Sequence, residues 1–322
     1  MIDLYPFSGF TVAVLGLDGA GRATATALRL SGATVWAWDD DEKRRKTAAQ
    51  EDIPLHDLHQ CDWREPVSLV IAEDIPHDGV EDHPVVALAR RAGAEIISDA
   101  ELLARAQRDA AYIGVSGRHA RDTVDLLAYI LQLSGQECEW TGSPAPGDEG
   151  PRTALSLHPL ELGGTYILDM PASKLDITFS ITFDVGIYAG GYEKDAAGLL
   201  RMLFHRQTEP RSAVILTDDE AGALLLEDLR KTGDQRIVPV AAGREEAGGI
   251  YLKGGWLIDD REGKRIEVID LDAGGRYQAP GRREAALLAY AAATAHGIAP
   301  PAVMACLNSY DFSPPDHGRL QP

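Results

Sequence analysis

The sequence predicts an α/β chain of two domains, each built on a mostly parallel sheet with helices against it. Three observations predict this. Short β-rich apolar runs alternate with helical patterns along most of the 322 residues. Two of those runs, Thr11–Leu15 and Tyr112–Val115, lead through a glycine-containing turn into a helical pattern. The length fits two domains of ordinary size. The boundary is expected near residue 110, giving domains 1–109 and 110–322.

The elements follow in order. Thr11–Leu15 (TVAVL) reads as a strand. Gly16, Gly19 and Gly21 come next, and a helical pattern runs from Arg22 to about Leu30, stopped by Gly32. Thr34–Trp38 is a second strand ending at Asp39; Trp36 and Trp38 alternate with their neighbours along it, which places one or both beneath helices. Val67–Ala72 reads as a strand, Pro84–Ala92 as a helix and Glu95–Ile97 as a short strand. The second series opens with Tyr112–Val115, a polar turn Ser116–Asp122 and a helix Thr123–Leu133. A loop rich in Gly, Pro and acid follows at 141–152 (TGSPAPGDEGPR). Further strands are expected at Thr165–Met170, Ile177–Phe183, Ser212–Leu216 and Arg236–Val240. Gly249–Ile258 and then Arg265–Ile269 read as antiparallel, with Lys253-Gly254-Gly255 as the turn. An Ala-rich helix from Arg283 to about His296 and another from Pro300-Pro301 to near Asn308 complete the pattern.

Composition excludes several function classes. Lys plus Arg is 31 and Asp plus Glu is 50, a net charge of −19. Such a surface repels phosphate backbones and anionic lipid, so nucleic-acid binding and membrane docking are not expected. No apolar stretch approaches the about 18–20 residues needed to cross a bilayer. Cys61, Cys138 and Cys306 are isolated thiols without CxxC spacing, which suits a reducing cytoplasm and offers no zinc site. His56, His59 and His77 fit no single helix face and are not expected to form a ligand set.

Taken together, the landmarks resemble the Mur ligases, nearest the member that adds D-glutamate. Gly16-Leu17-Asp18-Gly19-Ala20-Gly21 stands where that family has its first glycine loop. Ala72-Glu73-Asp74-Ile75-Pro76-His77, then His83-Pro84, is similar to its Ser-Pro-Gly-Ile-Pro segment and following His-Pro. Ser98-Asp99-Ala100-Glu101-Leu102 resembles Gly-Asp-Ile-Glu-Leu. Tyr166–Met170 with Leu175-Asp176 is similar to the strand carrying the catalytic Glu, and Ser180–Asp184, closing at Gly190-Gly191, to its Asn-Ile-Thr-Pro-Asp-His segment. Thr217-Asp218-Asp219-Glu220 and Pro280-Gly281-Arg282 resemble two later motifs. The resemblance implies a Rossmann-like UDP-sugar domain over 1–109 and a P-loop-type ATPase domain over 110–322, with the family's third domain absent. It also implies ATP and Mg²⁺ as cofactors and an acyl-phosphate route to an amide.

The chemistry-bearing positions depart from that pattern. Where the family has Gly-Thr-Asn-Gly-Lys-Ser/Thr, this chain has Gly117-Arg118-His119-Ala120-Arg121-Asp122-Thr123. A phosphate loop needs close backbone approach, a Lys on the transferring group and a hydroxyl on Mg²⁺. Arg121 takes the Lys place and Asp122 the hydroxyl place, where a carboxylate faces the nucleotide's own charge. Arg118, His119 and Arg121 retain some attraction for a smaller anion at the helix start. The alternative is purely structural, with Asp122 capping the helix and the arginines solvated. The family's metal-binding Glu is Asp169, its neighbours are Pro171-Ala172-Ser173-Lys174, and the second metal position is Val185. The carbamylated Lys falls near Leu200, and the adenine-side His-Asn becomes Arg283-Glu284. Asp169 and Asp184 remain as candidate Mg²⁺ ligands. Asp18, Glu73 and Asp74 stand where a diphosphate would be gripped. Asp39, at the end of the second strand, suits a ribose hydroxyl and leaves an NAD- or nucleoside-binding alternative open.

The expectation is therefore a catalytically silent cytoplasmic relative. Its vestigial catalytic positions are Arg121, Asp122, Asp169 and Asp184. Its residual nucleotide contacts are Gly16, Gly19, Gly21, Asp39, Gly117, Arg118, Arg121 and Thr123. ATP and Mg²⁺ binding is lost or weak, no metal is held, and the partner is another cell-wall synthesis protein; the alternatives are residual ATP-dependent ligase activity of the family's D-glutamate-adding kind, or a UDP- or NAD-type nucleotide-binding module.

Overall fold

The computed structural model describes residues 2–144 and 151–312. The acidic stretch 145–150 of the expected loop and the terminal segment Ser313–Arg319 lie outside the described residues. The chain forms two compact units. The first comprises the chain up to Asp109 together with Arg152–Pro159 and Asp176–Ile181; the second is the remainder of the described chain. Two segments from beyond residue 110 thus pack with the first unit.

The first unit carries β1 (Thr11–Leu15), α1 (Gly19–Leu30), β2 (Thr34–Trp38), α2 (Glu42–Gln50), β3 (Pro66–Ile71), α3 (Pro84–Ala92), β4 (Glu95–Ile97) and α4 (Asp99–Ala106). Its four strands are parallel in the order β2-β1-β3-β4. Ala13, Leu15, Leu69 and Ile71 alternate along two central strands and build the core with Val85, Val86 and Ala89 of α3. Each helix start has its own sequence reason. Asp18 accepts a hydrogen bond from Gly21 N–H at 2.9 Å, Asp41 from Lys43 N–H at 2.8 Å and Ser98 from Glu101 N–H at 3.0 Å. Because Asp18 caps it, α1 begins three residues earlier than the apolar pattern suggests and takes the glycines into its first turn.

The second unit carries β5 (Ala111–Ser116), α5 (Ala120–Leu133), β6 (Cys138–Trp140), β7 (Thr165–Asp169), α6 (Ala172–Leu175), β8 (Val185–Tyr188), α7 (Ala197–Leu200), β9 (Thr208–Leu216), α8 (Glu220–Thr232) and β10 (Asp234–Ala241). Then come β11 (Ile250–Lys253), β12 (Trp256–Asp259), β13 (Ile266–Asp270), α9 (Arg282–Ala295) and α10 (Pro300–Ser309). Nine strands run β13-β12-β11-β10-β9-β8-β5-β7-β6, parallel from β6 to β11 and antiparallel at the β11–β12–β13 end. Gly254 and Gly255, both at positive φ, make the β11–β12 turn. Helix α9 is buried continuously from Ala285 to Ala293. Its small side chains let it lie against the sheet, α5 and α10 at once.

One expected strand is absent. Ile177–Phe183 alternates like a strand, yet the strand there is Val185–Tyr188. The physical reason is Glu101, fully buried in α4 of the first unit. Its carboxylate accepts hydrogen bonds from Phe179 N–H (2.7 Å), Ser180 N–H (2.8 Å) and Ser180 Oγ–H (2.6 Å), and pairs with Arg105 at 2.7 Å. Ser98 N–H donates to Ile177 O at 3.1 Å. A sheet ladder cannot use groups already held in this way. Among the described residues no helix is long and apolar enough to cross a membrane.

Candidate functional site

In parallel α/β sheets, ligands bind beyond the carboxyl ends of the strands, where loops and helix starts converge. Each unit has such an end, and each presents a glycine loop there.

In the first unit, the loop after β1 is held from within. Gly16 N–H donates to Trp38 O at 2.9 Å, and Leu17 N–H donates to Asp39 Oδ2 at 2.7 Å. Asp39 Oδ1 accepts Asp41 N–H at 2.8 Å, and Arg44 lies 3.3 Å from Oδ2. The Asp39 carboxylate is thus buried and turned into the loop. Gly16 and Gly21 serve close packing. A Cβ on Gly21 would sit 1.8 Å from Gly16 O, and one on Gly16 would sit 2.4 Å from Ala72 Cβ. Gly19 has open space. Asp74 reaches Arg44 at 3.4 Å, and Glu73 is exposed. Asp40 gathers two histidines, His59 at 2.9 Å and His83 at 3.1 Å. His56 stacks on Trp36 instead, with ring centroids 4.1 Å apart. Among the described residues no group of three or more His, Cys, Asp or Glu side chains is placed to hold a metal ion.

In the second unit, β5 ends at Ser116 and α5 begins at Ala120, with His119 as its N-cap and no side-chain cap bond. This corrects Asp122 as the cap; it lies within the first turn, where a carboxylate still favours the helix dipole. The intervening backbone meets the turn after β8. Arg118 N–H donates to Gly190 O at 2.6 Å, His119 N–H to Ala189 O at 3.1 Å and Ala120 N–H to Gly117 O at 3.1 Å. Gly117 has φ +133°, and a Cβ there would stand 2.5 Å from Gly190 O. Thr123 is buried, and its hydroxyl donates to His119 O at 2.7 Å. Arg121 turns sideways: its Nε donates to Ser143 Oγ at 3.2 Å, and that hydroxyl donates to Asp125 at 2.6 Å. Burial pushes the Asp125 carboxyl up from its ordinary value.

The expected Mg²⁺ pair does not meet. Asp169 ends β7 opposite Val115, whereas Asp184 precedes β8 opposite Tyr112, at the other end of the same sheet. Three residues of strand separate them by about 10 Å along the sheet, and one cation holds its ligands at about 2–2.6 Å. Asp184 instead accepts Tyr112 N–H at 3.0 Å and pairs with Arg211 at 3.3 Å. The Ser180–Asp184 segment is therefore not at the ligand end of the sheet. The residues that are there, to which the sequence analysis gave no site role, are Gly190 to Lys194.

These residues border a cleft of about 790 Å³ at the ends of β5, β8, β9 and β10. Arg118 and His119 line one side, Gly190–Lys194 and Asp218–Glu220 another, and Ala242–Arg244 with Arg283-Glu284 the rest. Arg121, Asp122, Thr123 and Asp169 are not among the lining residues. Four Lys or Arg face five Asp or Glu, so the wall carries no excess of positive charge. Two of the acids are structural. Asp219 caps α8 through Gly222 N–H (2.8 Å) and also accepts Gly191 N–H (2.8 Å) and the Tyr188 hydroxyl (2.9 Å). Burial raises the Tyr188 pKa and keeps that hydroxyl a donor. Asp218 accepts Ala242 N–H (2.6 Å) and Gly243 N–H (2.9 Å).

No protein-family model matches the chain. Its fold is that of the Mur ligases. The crystal structure of a UDP-N-acetylmuramate:L-alanyl-γ-D-glutamyl-meso-diaminopimelate ligase from Neisseria meningitides superposes with a TM-score of 0.60, at 16% identity, over 94% of this chain and 98% of that one. The UDP-N-acetylmuramate-alanine ligase of Thermotoga maritima gives 0.54, at 15% identity, over 92% of this chain and 67% of that one. Sequence relatives are nearer. The UDP-N-acetylmuramoylalanine–D-glutamate ligase of Paramagnetospirillum magneticum is 32% identical over 323 residues, covering 96% of this chain and 68% of its own length. That of Rhodospirillum rubrum is 29% identical over 330 residues, covering 98% of this chain and 68% of its own length. With that identity running over 96% of the chain, the chain belongs to the UDP-N-acetylmuramoylalanine–D-glutamate ligase family of the Mur ligases.

Proposed function

We propose that this Mur ligase relative serves peptidoglycan precursor synthesis in the cytoplasm without running the ligation, as a scaffold or regulator of another cell-wall enzyme. One observation carries the proposal. The backbone N–H groups of Arg118, His119 and Ala120, which in a phosphate loop must be free to receive phosphate oxygens, donate to the carbonyls of Gly190, Ala189 and Gly117. A triphosphate with its cation does not fit these residues. The loop is packed against Gly190, Arg121 is drawn toward Ser143, and Asp169 and Asp184 stand at opposite ends of the sheet. No step through ATP or Mg²⁺ is derived for this chain. A retained fold with a closed phosphate loop leaves binding as the property selection can act on, and the partner is a proposal on that ground.

Calorimetric titration of ATP·Mg²⁺, alone and with UDP-N-acetylmuramoyl-L-alanine, tests the reading. No heat of binding is expected, and no phosphate release when D-glutamate is added. Micromolar affinity for ATP·Mg²⁺ with turnover overturns it. Co-purification with another cell-wall enzyme is the expected positive result for the scaffold role.

A further inference from the structure

The cleft of the second unit keeps its volume although its phosphate loop is closed. About 790 Å³ lies within the range that holds a drug-sized ligand. What such a ligand would meet follows from which charges remain available. Arg244 pairs with Glu246 at 3.1 Å, Lys194 stands 3.8 Å from Glu220, and Arg283 pairs with Asp272. Asp218 and Asp219 are taken up by backbone N–H groups. Three charged side chains of the wall remain with no ion pair or side-chain hydrogen bond among the described residues: Arg118, Glu193 and Glu284. Leu216 and Leu252 supply apolar wall between them.

One free guanidinium and two free carboxylates make a poor site for a polyanion, which gains one contact and is repelled twice. A dication leaves the guanidinium opposed. A ligand carrying both a carboxylate and an ammonium satisfies all three groups, the carboxylate through the planar fork of Arg118 and the ammonium shared between Glu193 and Glu284. A single amino acid leaves most of the volume empty. We propose that this cleft binds a short zwitterionic peptide, its carboxylate on Arg118 and its ammonium on Glu193 and Glu284. The proposal rests on the reading that the cleft does not take ATP·Mg²⁺.

Thermal-shift titration of the full chain with the tripeptides Ala-Glu-Lys and Ala-Gly-Ala, both with free ends, tests it. Succinate and putrescine serve as the dianionic and dicationic controls. A ligand that binds the folded state alone raises the melting temperature. Stabilisation by at least one tripeptide at about 10 mM is expected, and none by either control at equal concentration. Arg118→Ala and Glu284→Gln each weaken peptide binding by roughly tenfold or more, and Arg118→Lys retains part of it. Neither side chain has an ion pair or side-chain hydrogen bond among the described residues, so the variants' urea midpoints stay near the parent value, and this is checked first. Silence toward both tripeptides overturns the proposal and leaves the non-ligase reading standing. Equal peptide binding by the parent and Arg118→Ala also overturns it. Tight binding of ATP·Mg²⁺ in the same assay overturns the reading beneath it.

Discussion

The two glycine loops of this chain share one plan and end in opposite situations. Each joins a parallel strand to a helix, β1 to α1 and β5 to α5. Each has several backbone donors occupied. The first loop is filled largely by carboxylates, with Asp39 holding Leu17 N–H and Asp18 holding Gly21 N–H. The second is filled by main-chain carbonyls, from Gly190, Ala189 and Gly117. A carboxylate is one substitution away from being gone. A carbonyl belongs to whatever residue stands there. The first loop is thus closed by side-chain chemistry and the second by the path of the chain, and point mutations should tell them apart.

The largest effects are expected from the glycines themselves. Gly21→Ala drives a Cβ onto Gly16 O at 1.8 Å, and Gly117→Ala drives one onto Gly190 O at 2.5 Å from a φ of +133°. Backbone cannot withdraw as a flexible side chain can, so each should lower unfolding free energy by about 3 kcal/mol. Gly19→Ala meets nothing within 4 Å and should be neutral or stabilising by up to about 1 kcal/mol. Urea unfolding of the ligand-free protein measures all three. If Gly117→Ala is as harmless as Gly19→Ala, the second loop stands open and the contrast between the loops collapses.

Where structure follows local pattern, the sequence was legible. Thr11–Leu15, Thr34–Trp38, Pro84–Ala92 and Glu95–Ile97 stand at their expected bounds because apolar alternation and Gly or Pro punctuation mark them. Helix α8 was not recognised, although Asp219 before Glu220–Thr232 is a cap signal. The strand pattern of Ile177–Phe183 was overridden by Glu101, whose bonds to Phe179 and Ser180 span 78 and 79 residues and leave no local trace. Misplacing that strand carried the site with it. It put Asp184 among the candidate Mg²⁺ ligands and left Gly190-Gly191 without a site role, because the bond from Arg118 N–H to Gly190 O is non-local too. The one signal available was the apolar run Val185–Tyr188 directly before two glycines, which repeats the strand-then-glycine grammar of both loops.

A smaller effect probes how Arg121 is held away from the cleft. Asp125 is the far end of the Arg121–Ser143–Asp125 chain, and burial raises its pKa. A carboxyl with a raised folded-state pKa contributes stability in full below its unfolded value and loses it as pH rises through the folded value. Asp125→Asn keeps an oxygen for Ser143 and removes the charge. The variant should therefore gain stability on the parent near neutral pH, by less than about 1 kcal/mol with Arg121 offsetting part of the burial, and lose that advantage below about pH 4. Urea midpoints at the two pH values measure it. An advantage that persists or grows at low pH contradicts burial as the cause.

The smallest expected change carries the most weight. Ala120→Gly, Arg121→Lys and Asp122→Ser together restore the family's Gly-Lys-Ser signature at its own positions. If substituted side chains were what closed this site, the triple variant should recover ATP·Mg²⁺ binding. The carbonyls of Gly190 and Ala189 are untouched by the change, and they already hold the N–H groups of Arg118 and His119. A restored Lys still finds the N–H groups of Arg118, His119 and Ala120 taken, and a restored Ser still has Asp169 without Asp184 as a joint cation ligand, because Asp184 lies at the other end of the sheet. Calorimetry should give the same absence of heat for the triple variant as for the parent. Recovery of micromolar binding would place the closure in three side chains and make the second loop like the first: occupied, and open to reversal.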